Sequence, residues 1–283
     1  DCIQFLYELI INPIDVSLLV VISLLALVII FSLFRVRVLK IFGQRLAEKA
    51  KGYKTFVPWI IRLPLGLGLV GAGTSHLLIS PTLPISNAFI SFEIFAGFCL
   101  LIGFLLPFTY VLTIVLYLLA VMQDYYLLGN IDVFALAMAG LILSDPRPGI
   151  DDLVAFAPKF VTNWKEYLPK IFRIAVGAEM AFLAVYEKFL NPVVSEKVVL
   201  DYNLQSIIPV STHLWVVGTG LVEFSVGLLL VWGISTRLVS VIAFLVLSFT
   251  FFYFQESVYS HVTLFGAISI IFIYGNKLEG EKQ

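Results

Sequence analysis

The sequence predicts an all-α integral membrane protein of about nine transmembrane helices, arranged as two parallel-repeat four-helix bundles preceded by one N-terminal helix. Three observations predict it. The first is composition: of 283 residues, 60% are hydrophobic and only 13% are charged, and the mean hydropathy is +1.01. A soluble domain usually carries about 25% charged residues, so lipid has to be the solvent for most of this surface. The second is a series of apolar segments matched to a bilayer core, whose roughly 30 Å takes about 20 helical residues. The third is an internal repeat.

The apolar segments lie near 16–34, 58–79, 89–106, 109–127, 131–144, 171–190, 214–234, 236–256 and 262–275. The fifth and ninth are short and must extend into polar flanks or be only partly embedded. Basic residues set the orientation, because cytoplasmic loops concentrate Lys and Arg. Segment 35–57 carries Arg35, Arg37, Lys40, Arg45, Lys49, Lys51 and Lys54 against Glu48, whereas the first fifteen residues carry Asp1, Glu8, Asp15 and no base. The N-terminus is therefore expected outside and segments 35–57, 145–170 and 276–283 inside. Of the 18 Lys and Arg, all but Lys188 and Lys197 then fall on the cytoplasmic side or at a cytoplasmic helix end. The chain opens at Asp1 without Met, which leaves room for a start or signal region upstream.

The repeat is legible residue by residue. Arg62, Gly66 and Pro81 match Arg173, Gly177 and Pro192 at one offset of 111. Glu93, Gly97 and Gly103 match Glu223, Gly227 and Gly233 at an offset of 130. Gln123-Asp124 matches Gln255-Glu256, and Phe134 matches Phe265. Each copy has four spans, an even number, so both have the same orientation and are related by an axis along the membrane normal. The expected domains are 1–57 (first helix and basic segment), 58–144 (first unit), 145–170 (linker) and 171–283 (second unit and tail). The second copy has the longer outer loop, 191–213, and stretch 150–163 reads as an interfacial helix.

These motifs carry a resemblance. Arg-x3-Gly on the first helix, Glu-x3-Gly-x5-Gly on the second and Gln-acid on the third make each copy similar to the DoxX/DoxD-like family of four-helix membrane proteins. The resemblance covers about 59–144 and 171–275. It implies fold more strongly than function. The family includes a membrane subunit of thiosulfate:quinone oxidoreductase, so the resemblance implies a prokaryotic cell membrane, a quinone as candidate cofactor or substrate, and other subunits of a membrane complex as partners beside the lipids.

Ionisable groups within a bilayer are costly and each needs a reason. His76, Glu93, Gln123, Asp124 and Asp132 all lie at or near the outer ends of predicted spans in the first copy. Glu187, Lys188, Glu223, Gln255, Glu256 and His261 do so in the second. A quinone needs an apolar slot for its tail, donors at its carbonyls and a source of protons, which His or a carboxylate supplies. An anion such as thiosulfate would prefer the second copy, where Lys188 adds positive charge. The bland alternative is that these groups hydrogen-bond to one another and to helix ends, holding the bundle together. Glu179 lies deeper, without a repeat partner, and is expected at the seam between copies. Arg62 and Arg173 are expected to snorkel to lipid phosphates. Gly66, Gly68, Gly71 and Gly73 form a small-residue face for close helix packing, with no strand before them to make a phosphate loop.

Other classes are excluded or weakened. Two cysteines, Cys2 and Cys99, cannot make a disulfide framework or a Cys-based metal site. No haem, flavin or metal motif occurs in the sequence, and no basic stripe with interleaved aromatics suggests nucleic acid. Three functions remain: a quinone-linked redox subunit, a non-catalytic subunit of a respiratory complex, and a small-solute or ion transporter. The apolar inner halves of both bundles weigh against the last.

Overall fold

The computed structural model describes residues 2–35, 37–80, 83–84, 87–155 and 162–275. Among the described residues thirteen α-helices follow one another: α1 (Cys2–Ile11), α2 (Pro13–Arg35), α3 (Arg37–Lys51), α4 (Val57–Thr74), α5 (Asn87–Ile102), α6 (Leu106–Gln123), α7 (Ile131–Leu143), α8 (Ile150–Leu153), α9 (Leu168–Leu183), α10 (Pro192–Asp201), α11 (Thr212–Trp232), α12 (Thr236–Phe254) and α13 (Val258–Tyr274). Helices occupy all nine positions at which spans are expected. Among the described residues, five segments can cross a membrane by length and composition: Lys54–Thr74, Leu106–Gln123, Tyr125–Leu143, Thr212–Trp232 and Thr236–Phe254. The bent pair Ile3–Ile11 and Pro13–Leu24, at 96° to each other, makes a sixth if it counts as one span. Helices α5 and α13 are apolar but shorter, at 16 and 17 residues. Both segments expected to be short do extend. A 3-10 turn, Tyr125–Asn130, leads into α7, and α13 begins at Val258.

The helices pack in the same cycle twice. Helix α4 packs on α5, α5 on α6, α6 on α7, and α7 returns to α4; likewise α9 packs on α11, α11 on α12, α12 on α13, and α13 returns to α9. The two rings meet where α4 lies on α13 and α7 on α9. One continuous core runs through both, from Ile61, Leu65 and Leu100 to Phe172, Leu230 and Ile271. A separate cluster, Phe5, Leu9, Val199, Leu204, Val216 and Val217, fixes α1 against α10 and α11. Asp15 accepts a hydrogen bond from Ser211 at 2.5 Å, so the N-terminal segment and the start of α11 lie at one end of the bundle. Large apolar side chains such as Met122, Trp232 and Phe252 are exposed on the outside, as lipid-facing positions must be.

Glycine sets the closest approaches. A Cβ on Gly66 would lie 2.9 Å from the Gly97 carbonyl oxygen, and one on Gly97 2.8 Å from that of Gly66. In α9 and α11, Gly177 and Gly227 approach each other's carbonyl oxygens in the same way, each at 2.6 Å. Gly73 also faces α5, at Ile94, whereas Gly68 and Gly71 face Thr263 and Tyr259 of α13. The small-residue face thus serves two neighbours of α4.

Helix ends repeat too. Gly103 (φ 70°) and Gly233 (φ 75°) are both left-handed, and Phe104 N–H to Cys99 O and Ile234 N–H to Leu229 O close both helices at 2.9 and 3.0 Å. This is the glycine-terminated end that a left-handed residue makes possible. The next helices both start after a second left-handed residue, Leu105 and Ser235.

One expectation is corrected here. Arg62 does not snorkel to lipid: it is 2% exposed and donates to the Pro148 and Pro146 carbonyl oxygens at 2.5 and 3.4 Å. The chain leaves α7 through left-handed Ser144, and the carbonyls beyond it need a donor that the helix no longer supplies. Of stretch 150–163, expected as an interfacial helix, the described residues 150–155 hold one short helix, Ile150–Leu153, and bury Asp151. Its carboxylate accepts from Leu105 N–H at 2.9 Å and Leu106 N–H at 2.8 Å, capping the start of α6. Asp151→Ala should therefore lower stability by about 2 kcal/mol, the cost of a lost cap plus buried unmet donors. Thermal unfolding in detergent would measure it, and an unchanged midpoint would mean the cap carries no load. Residues 156–161, the side chains of Arg35, Arg37 and Lys40, the Pro81 match and the tail 276–283 lie outside what is described.

Candidate functional site

Where α4 and α6 end and α5 and α7 begin, the polar residues serve separate contacts. Helix α4 stops at Thr74, and the chain turns through left-handed His76 and Ile79. Glu93, fully buried on α5, accepts the Ile79 N–H at 2.8 Å and so holds that turn from below. His76 is exposed. Gln123 is also exposed and bonds within its own helix, to Leu119 O at 3.4 Å. Asp124 caps the following 3-10 turn through Tyr126 N–H at 2.9 Å. Glu93 and Asp124 thus answer local backbone needs where a helix ends. Asp132, at the first turn of α7, points elsewhere: its backbone N–H donates to Glu179 at 2.9 Å, at the seam with α9. Glu179 is thus a seam residue, as its lack of a repeat partner suggests.

The second ring differs because its first helix does not stop. Beyond α9 the chain continues as a π-helical segment, Ala184–Leu190. Such segments are rare and recur at functional sites, because the wider turn re-aims side chains. It presents Glu187 and Lys188 towards α11. Lys188 Nζ pairs with Glu187 at 2.9 Å and is only 17% exposed at its side chain. Its stem packs on Gly220 of α11, where a larger residue would collide with it. Glu223 and Glu256 lie within electrostatic reach of the ammonium. Tyr126, from the first ring, donates its hydroxyl to Glu187 at 2.5 Å. Nearby, Glu256 meets His261 at 3.1 Å. Gln255 is exposed at the left-handed end of α12.

Glu187, Lys188 and Glu223 therefore gather, and Glu256 and His261 pair beside them. Tyr126 was not a sequence candidate, because nothing local marks a tyrosine that reaches across 61 residues. The same holds for His213, which bridges Glu8 at 3.0 Å and Glu196 at 3.3 Å and ties α1 and α10 to α11. Among the described residues, no group of three or more His, Cys, Asp or Glu is arranged to hold a metal ion.

Residues 168–256, which run from α9 through α12 and include Glu187, Lys188, Glu223 and Glu256, match the DoxX family. No curated protein and no solved structure matches the chain. The chain thus carries a DoxX domain at residues 168–256.

Proposed function

We propose that the chain is a membrane subunit of a respiratory or sulfur-oxidising system and that a quinone head group docks at the outer mouth of the second unit. One observation carries this reading: a mostly buried lysine, held by a carboxylate and set among further acids, on a π-helical segment within the DoxX domain. Lys188 would donate to a quinone carbonyl, and the acids around it would relay protons. Oxidative coupling of two thiosulfate ions releases two electrons, which with two protons convert quinone to quinol. The electrons come either from such a sulfur anion or from a partner subunit that carries its own redox group. The test is purification in mild detergent, extraction of bound quinone, and assay of thiosulfate-dependent quinone reduction by the isolated chain. Bound quinone with turnover supports the reading; a quinone-free, inactive chain that elutes with oxidase or reductase subunits refutes the catalytic part.

A second reading, a non-catalytic subunit, is favoured by the way Glu93, Asp124, Asp151 and Arg62 are spent on helix ends. Groups so used are structural.

The reading includes an architecture: nine spans, with tandem units 58–144 and 171–275 arisen by duplication, helix 1–57 before them, linker 145–170, and the tail in 171–283. The repeated packing cycle, the two glycine pairs and the matched left-handed helix ends support it. It fixes a topology with the N-terminus outside. Cysteines introduced at the exposed positions Arg45 and Asn203 should react differently with an impermeant reagent in intact cells. Position 203 should be labelled and position 45 spared; the opposite pattern would invert the topology.

A further inference from the structure

We propose that Asp132 and Glu179 form an intramembrane proton-binding site where α7, α9 and α13 meet, the two carboxyls sharing one exchangeable proton. Asp132 is 0% and Glu179 2% exposed. Glu179 uses one oxygen to accept the Asp132 N–H at 2.9 Å, and both Asp132 carboxylate oxygens are buried without a partner at ordinary hydrogen-bond geometry, with the Thr263 and Glu179 side chains close by. Their polar and titratable surroundings are the two acids themselves, Thr263 of α13 and Tyr117 of α6. Among the described residues, no lysine, arginine or histidine pairs with either acid. A small cavity lies alongside, lined by Gly68, Val133, Tyr259 and Thr263 among others.

Charge decides what this pair must hold. A single carboxylate at membrane depth costs roughly 2.5–3.5 kcal/mol even on the gentler insertion scales. Two adjacent carboxylates add mutual repulsion in a medium that barely screens it. One proton removes half the charge and turns a carboxyl oxygen into a donor, which supplies the hydrogen bond that Asp132 lacks.

The site also has a way out. Glu187 follows Glu179 by eight residues, a rise of about 12 Å along one helical path. Glu187 is partly exposed and accepts from Tyr126, six residues before Asp132. The same two segments that hold the buried acids therefore lead to the outer cluster. The proposal is independent of the quinone reading, since a proton site at this seam would serve any chemistry at the outer mouth, or none.

Infrared difference spectroscopy on the full chain in detergent or lipid tests it. At neutral pH the wild type should show a carboxylic-acid C=O band that shifts in D2O and fades as pH rises. The double variant Asp132→Asn, Glu179→Gln should lose that band while keeping the wild-type elution profile. If the double variant does not fold, Glu179→Gln serves alone, because its amide oxygen still accepts the Asp132 N–H; it should shift or remove the band. A spectrum identical in wild type and variants, or carboxylate absorption only at this pair at every pH, overturns the proposal.

Discussion

Gly177→Leu should prevent the second bundle from assembling. Gly177 and Gly227 bring α9 and α11 together backbone to backbone, and even one added carbon at either glycine would lie 2.6 Å from the other's carbonyl oxygen. Backbone cannot rotate aside as a side chain can. Overpacking costs about 1–3 kcal/mol where neighbours can shift; here the helices must separate. Separation would also pull Glu223 of α11 from Lys188, so the fold and the outer cluster fail together. Gly66→Leu should behave alike in α4, against Gly97. Gly218, on α11, is the control: nothing lies near its missing side chain, so Gly218→Ala should be neutral or stabilise the helix by up to about 1 kcal/mol. Detergent-resistant folded yield and thermal midpoints would check the series. A monodisperse, wild-type-stable Gly177→Leu protein would mean that α9 and α11 do not make this contact.

Lys188→Gln and Glu223→Gln should each cut quinone-linked turnover about 100-fold, the low end of what a positioned acid or base contributes. Glutamine keeps the length of Glu223, most of the length of Lys188 and the polarity of both, so the bundle should persist. What is lost is the charge at Lys188 and the proton-carrying capacity at Glu223. Bound quinone should fall more in Lys188→Gln, whose ammonium is the direct donor, than in Glu223→Gln. Glu93→Gln separates chemistry from structure. Glu93 occupies the matching place in the first ring but holds the Ile79 N–H, a bond that an amide oxygen also accepts. It should leave turnover close to wild type. Variants at Lys188 and Glu223 that assemble normally and turn over at the wild-type rate would make this cluster structural and the non-catalytic reading correct.

Membrane residence and helical class were determined by the sequence alone. Backbone N–H and C=O groups in lipid must be met within the segment, so apolar stretches of this length have one spanning solution, the helix. The glycines and the deep acid were legible for similar reasons: small residues mark close approach, and a carboxyl in an apolar span needs a partner wherever it lies. Tertiary structure alone decided how the polar residues were used. Depth along a helix can be read from sequence, but azimuth and the path of each turn cannot. His76, Glu93, Gln123 and Asp124 share a depth, yet two are exposed, one is buried under a turn and one caps its own chain. Arg62 and Asp151 were legible as charges but not as caps, because their partners lie 86 and 46 residues away in loops without regular pattern. The outer cluster formed only where α9 runs on as a π-helical segment. There Lys188 lies beside Glu223, while Glu93 on α5 holds a turn.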